Sequence, residues 1–146
     1  MNLIPVEDGK SPSRDKILEA ERLIAQAPQV EFKVIHYFAP GLYARELHIP
    51  AGHVLTGKIH KTEHLCTISK GRIHIQSEFG GGVFEAPHTF VSKPGVKRIG
   101  YAETDTVFTC YHATHETDLA KLEAELVCDT YEELPHDVLK LLEAGS

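Results

Sequence analysis

Between Lys58 and His64 the chain sets down Lys58, His60, Glu63 and His64, an ammonium, two imidazoles and a carboxylate within one turn or strand length. On a strand, successive side chains face opposite ways, so Lys58 and His60 share a face while Ile59 takes the other. Two polar residues on the inner face of a barrel strand make a site. One chemistry open to them is metal binding, because borderline metals accept imidazole and carboxylate and a catalytic centre keeps two or three protein ligands with an open position. His60, His64 and His112 would converge if His112 lies on the inner face of the last strand, and Glu63 would join them if a bulge turned it inward. Iron, manganese, nickel or zinc would suit such donors; the Lys58 ammonium would oppose them by charge repulsion.

The other chemistry is anion binding. Lys58 and Arg98, with Arg45 and Lys97 beside them, would gather cations at a barrel mouth, Arg offering a bidentate fork and Lys a point charge to a carboxylate or phosphate. His60 would donate to the same anion or act as acid or base. Tyr43 and Tyr101 would add hydrogen bonds. The plain alternative is that Lys and Arg beside turns are solvated, with Lys97 and Arg98 pointing outward after the Pro94–Gly95 turn. Cys66 lies on the face of His64, and Cys110 on that of His112; both read as inert core thiols lacking a cationic partner.

The elements that must position these groups follow from periodicity. Ser11 to Ser13 supply a helix cap, and Ile17, Ala20, Ile24 and Ala27 recur at helical spacing until Pro28, which predicts a helix over about 12–27 after a short extended arm at 1–10. From Val30 the period becomes two. Strands are expected over 30–38, over 42–49 with Tyr43, Arg45, Leu47 and Ile49 on one face, and in short runs to His112, separated by turns at Ala39–Gly41, Gly80–Gly82 and Ser92–Gly95. Leu119, Leu122, Leu126 and Val127 then return to helical spacing, and Pro135 opens a last helix carrying Val138, Leu139 and Leu142. Short strands punctuated by Pro and Gly indicate an antiparallel barrel or jelly roll over 30–112, with 1–29 as arm and helix and 113–146 as a helical extension of one structural domain.

The stretch from Gly52 to Gly71 resembles the first signature of the cupin family, which runs Gly, His-x-His, Glu, Gly. Gly52, Lys58, His60, His64 and Gly71 fall on those marks, with Lys58 replacing the first His and His64 replacing the Glu. At the second signature, the turn at Pro94–Gly95 puts Arg98 on the histidine mark and Ala102 on the asparagine mark. The resemblance implies a mainly β, single-domain cupin jelly roll in which only His60 keeps its family role as a metal ligand. It leaves two functions open: binding of a small anionic or polar ligand in the barrel, or a metal-dependent enzyme of dioxygenase, isomerase or lyase type using His60, His64 and His112. Wording around Gly57–Lys61, Ser92–Gly95, Gly100–Ala102 and Asp105–Val107 is also similar to small cupin-like proteins of tailed phages and prophages, which implies a bacterial or viral source.

Bulk composition narrows the partners. With 15 basic against 21 acidic residues and a net charge of −6 in 146 residues, a nucleic-acid or anionic-membrane surface is not expected. No apolar run approaches the ~18 residues a membrane span needs. Three cysteines without close pairing argue against a disulfide framework and for a reducing, cytoplasmic setting. An exposed sheet edge or the flanking helices would support a homodimer.

Overall fold

The computed structural model describes residues 11–144; the arm expected at 1–10 lies outside the described residues. Helix α1 (Arg14–Gln26) starts at a Ser13 cap whose side chain accepts the Lys16 N–H at 3.2 Å, relieving one of the first-turn donors that no helical carbonyl can reach. It buries Ile17 against Ile99, with Ala20, Ile24 and Val54 around them. A second fastening is ionic. Lys97, 4% exposed, meets Glu21 of this helix at 2.5 Å, and Thr56 Oγ1 donates to the same carboxylate at 2.6 Å.

Ten strands follow: β1 (Lys33–Ala39), β2 (Leu42–Ile49), β3 (Val54–Thr56), β4 (Ile59–His60), β5 (His64–Lys70), β6 (Arg72–Ser77), β7 (Gly80–Glu85), β8 (His88–Ser92), β9 (Ile99–Ala102) and β10 (Thr106–Ala113). Then come α2 (Leu119–Leu126), β11 (Val127–Cys128), a 3-10 turn (Tyr131–Glu133) and α3 (His136–Ala144). One sheet has the order β1-β2-β10-β5-β8 and the facing one β3-β9-β6-β7, while β11 pairs with β4. Every pairing is antiparallel, so the mainly β jelly roll flanked by helices is the fold observed.

Between the sheets, Ile49, Ile68, Ile73, Ile75 and Ala102 form a buried layer with Leu47, Leu55, Phe84, Phe90 and Phe108 packed on it. Each such isoleucine contributes about 1.5–3 kcal/mol over leaving it exposed. This layer, at one end of the barrel, therefore holds the sheets together and leaves the other end free to be polar. A separate cluster of Ile59, Cys128, Tyr131, Leu134 and Val138 pins the C-terminal segment beneath β4.

One turn differs from expectation. The Gly80–Gly82 run opens β7 rather than forming the turn, which falls at Glu78–Phe79. Close approach explains it: a Cβ on Gly81 would lie 2.2 Å from the Ile75 carbonyl oxygen across the hairpin. The run from Val83 to Ser92 is two strands, divided at the cis Ala86–Pro87 peptide. Gly71, by contrast, turns where its family mark implies, at φ +92° with no room for a Cβ beside Asp105.

Candidate functional site

Register decides which side chains share the barrel interior. Arg45 pairs with His36 on one side and Cys110 on the other, and Cys110 pairs with Cys66, which pairs with Phe90. One row across the large sheet therefore reads His36, Arg45, Cys110, Cys66, Phe90. The row above it holds Phe38, Tyr43 and His112, whose rings stack at 5.2 and 6.0 Å between centroids. His36, Arg45, Cys110 and Cys66 of the first row and Tyr43 and His112 of the second, with Ile73 and Ile75 of β6 and Gly100 of β9, line a cavity of about 540 Å³. Leu119, Leu122 and Leu126 of α2 line it too, so this helix packs across the open end.

Three histidines converge in it from three different strands. Ring centroids of His60 on β4 and His64 on β5 are 4.3 Å apart, those of His64 and His112 on β10 are 4.5 Å apart, and His60 and His112 stack at 5.4 Å. One ligand nitrogen from each lies within 4.8 Å of the others. His64 Nδ1 sits 3.1 Å from the Thr62 carbonyl oxygen, which can only accept, so Nδ1 carries the proton and Nε2 presents its lone pair. That Nε2 and His112 Nδ1 are buried without a hydrogen-bond partner.

Electrostatics keep His60 and His112 uncharged. Burial, then the neighbouring His64 and His112, then Arg98 and Arg45, push His60 down to about 2. Burial first, then His64 and Arg45, bring His112 down to about 4. Neutral imidazole is the form that binds metal. The same three residues, lacking other partners at two nitrogens, fit a divalent ion.

The cations expected to meet an anion separate into two groups. Arg98 points into the cavity, where Nη1 donates to Ser92 Oγ at 2.8 Å and the guanidinium lies 5.5 Å from the centre of the Phe90 ring. Burial lowers its pKa, the nearby Cys66 and Cys110 partly offsetting this. Arg45 lines the same cavity, and among the described residues neither guanidinium meets a carboxylate. Lys58 sits at the rim, 49% exposed, paired with Glu123 of α2 and 3.6 Å from Asp129; hydrogen bonding to Glu123, only partly offset by desolvation, raises its pKa. It lines the same cavity as the histidines, but its charge is met by these two carboxylates. Lys97 faces α1 rather than the cavity, because Glu21 holds it there.

Of the remaining expected residues, Tyr43 lies at the site, its hydroxyl 2.6 Å from His36 Nδ1. Tyr101 stands on β9 beside His74 at 5.8 Å and does not line the cavity. Glu63 is 52% exposed and bonds Lys93 at 2.7 Å, with no bulge turning it inward. Sequence reasoning missed His36, although the two-residue Pro40–Gly41 turn forces it opposite Arg45. It also missed Glu123, which becomes the partner of Lys58 only when α2 folds over the barrel. Cys66 and Cys110, read as plain core, meet with their sulfurs 3.5 Å apart. Thiol hydrogen bonding to Cys66 brings Cys110 down to about 5, His64 and Arg45 aiding against burial, while the same contact and burial push Cys66 up.

No protein-family model matches the sequence, and comparison with curated proteins finds no match. Solved structures do match in shape. A tryptophan-to-tyrosine variant of the salicylate 1,2-dioxygenase from Pseudoaminobacter salicylatoxidans superposes with a TM-score of 0.54 at 15% identity, over 77% of this chain and 36% of that one. The same enzyme as adducts with gentisate gives 0.54, 15%, 77% and 33%. The fold is a cupin jelly roll. A cupin-2 domain protein from Shewanella frigidimarina is similar at a TM-score of 0.46 and 11% identity, over 64% of this chain and 89% of that one. The present chain spans about a third of the length of the dioxygenase it resembles. Within this cupin fold, the described residues offer a histidine-rich candidate metal site.

Proposed function

We propose that the protein is a metal-dependent cupin acting on a small carboxylate with an apolar body, with His60, His64 and His112 as metal ligands and Arg45 and Arg98 as receptors for the carboxylate. The observation that carries this reading is the convergence of three imidazoles with two buried nitrogens, His64 Nε2 and His112 Nδ1, left without partners. An unsatisfied buried polar atom costs about 1–3 kcal/mol, and a bound divalent ion would remove that cost at both positions. Such an ion, held by three neutral ligands with positions left open, supplies Lewis-acid chemistry.

The chain's own residues set the terms for the ligand. The Thr62 carbonyl fixes the His64 tautomer and ring orientation, an outer partner of the kind that orients metal ligands. His60 and His112 stay neutral at pH 7. Ser92 and Phe90 hold the Arg98 guanidinium in one orientation, which leaves its other N–H groups to grip a carboxylate. Leu47, Leu55, Ile73 and Phe108 offer apolar wall to the rest of the molecule, and a cavity of about 540 Å³ is of ordinary ligand size. Because three imidazoles and two guanidiniums bring no negative charge, metal and anion should favour one another's binding. The gentisate adducts of the dioxygenase with this fold point to the same kind of ligand, an aromatic carboxylate.

Thermal melting with manganese alone, benzoate alone and both together tests the proposal. Manganese should raise Tm, benzoate should raise it further when manganese is present, and Arg98→Met should lose the second effect and keep the first. Benzoate stabilisation indifferent to manganese would instead favour a non-catalytic anion-binding module, a reading supported by the two guanidiniums that lack carboxylate partners among the described residues. We also propose a cytoplasmic homodimer: β1 ends the large sheet with Tyr37 and Phe38 exposed, and all three cysteines are free. A strict monomer in light scattering at micromolar concentration would remove the dimer.

A further inference from the structure

We propose that Cys66 and Cys110 form, with His64, a second metal-binding set that takes a thiophilic divalent ion and competes with the three-histidine set for His64. The proposal shares the cavity of the preceding reading and rests on it for His64 alone. Its first support is register. Cys66 on β5 and Cys110 on β10 are directly paired, which aims both sulfurs into the barrel from adjacent strands. Their 3.5 Å separation is close to the ~3.8 Å that two thiolates span on a tetrahedral ion with metal–sulfur bonds of about 2.3 Å.

The second support is the unpartnered nitrogen. His64 Nε2 is buried with no hydrogen-bond partner, and one ring nitrogen of His64 falls with the two sulfurs inside a 4.8 Å group. Because Nδ1 is committed to Thr62, His64 has one lone pair and serves one ion at a time. The two sets are therefore alternatives. Donor chemistry separates them, since three nitrogens accept borderline ions generally, whereas two sulfurs and a nitrogen favour the softer, thiophilic ones such as zinc or cadmium over iron or manganese. Charge agrees as well: on binding, each thiol releases its proton to solvent, and two thiolates would balance a dication beside Arg45, the cross-strand partner of Cys110.

The experiment is a cobalt(II) titration of the full chain, purified without a histidine tag and reduced with a phosphine that does not compete for metal. One equivalent should bind with intense near-ultraviolet thiolate-to-cobalt absorption. His60→Ala should retain that band, the single variants Cys66→Ala and Cys110→Ala should each leave about half its intensity, and the double variant should lose it. Cadmium affinity should fall in the double variant by at least the ~100-fold that loss of a mere outer partner can cost. Circular dichroism of each variant checks that the barrel is intact. Cobalt bound by the parent without the sulfur band would overturn this inference and leave the three-histidine centre standing. No cobalt bound at all would overturn both.

Discussion

Lys58 and Arg98 were both expected to bring positive charge to one site, and the fold sends them to opposite fates. At the rim, Lys58 is half-exposed and neutralised by Glu123 and Asp129, as Lys93 is by Glu63. Inside, Arg98 is held by a neutral hydroxyl and an aromatic face, with no carboxylate among the described residues. A cation with a carboxylate partner is structural or solvated; a desolvated cation without one is waiting for an anion. The repulsion that Lys58 would exert on a metal is therefore largely discharged, and the cavity keeps its positive character through Arg45 and Arg98.

The contrast can be broken most severely at His64, the one side chain common to every donor set. His64→Ala should weaken divalent-metal binding by ~100-fold or more, measured by competition with a chromogenic chelator, while thermal stability without metal changes little. Unaltered affinity would move the centre elsewhere. Next comes Arg98→Met, which keeps the stem and deletes the charge. Loss of one charge-assisted contact should cost about 1.5–3 kcal/mol of benzoate affinity, roughly ten- to a hundredfold, in calorimetry on the manganese-loaded protein.

Acid separates the two regions in a third way. His60 and His112 have folded pKa values lowered to about 2 and about 4 from an ordinary 6.5, so below 6.5 the unfolded chain binds protons that the folded chain refuses. Their contribution to stability is whole above pH 6.5 and is lost as pH falls, through about 4 for His112 and further for His60. At pH 5 the loss is on the order of 2 kcal/mol per histidine. Urea midpoints should fall between pH 7 and 5, and His112→Asn should flatten the fall. A parallel slope in the variant would mean that His112 is not held neutral. The smallest effect belongs to the rim: Lys58→Met removes an exposed pair worth at most about 1 kcal/mol and should leave manganese and benzoate affinities within twofold or so of the parent. A large loss of anion binding there would erase the distinction between rim and interior.

The barrel was legible because its signals are local. Period-two runs, Pro–Gly turns and a Ser13 cap each act over a few residues, and a two-residue turn at Pro40–Gly41 dictates the whole β1–β2 register. For the candidate site, alternation put Tyr43 and Arg45 on one face of β2 and Cys110 and His112 on one face of β10, but did not say which face looks into the barrel. What failed to show depends on distant partners. Glu123 reaches Lys58 across 65 residues, Glu21 takes Lys97 through the packing of α1, and Lys93 draws Glu63 outward. None of these pairings leaves a mark in the spacing around the residue it disarms. Cys66 and Cys110 were placed on the right face, but their meeting required the β5–β10 register, which no turn between them specifies.

On the proposed function, His60, His64 and His112 hold one divalent ion per chain. Free manganese(II) gives a sharp six-line paramagnetic resonance signal that collapses on binding to protein, so titrating the untagged chain counts sites directly. The signal should stay suppressed until about one equivalent has been added, and His112→Ala should show free manganese from the first addition. Full signal from the first addition to the parent, or suppression that survives His112→Ala and His64→Ala together, would contradict it.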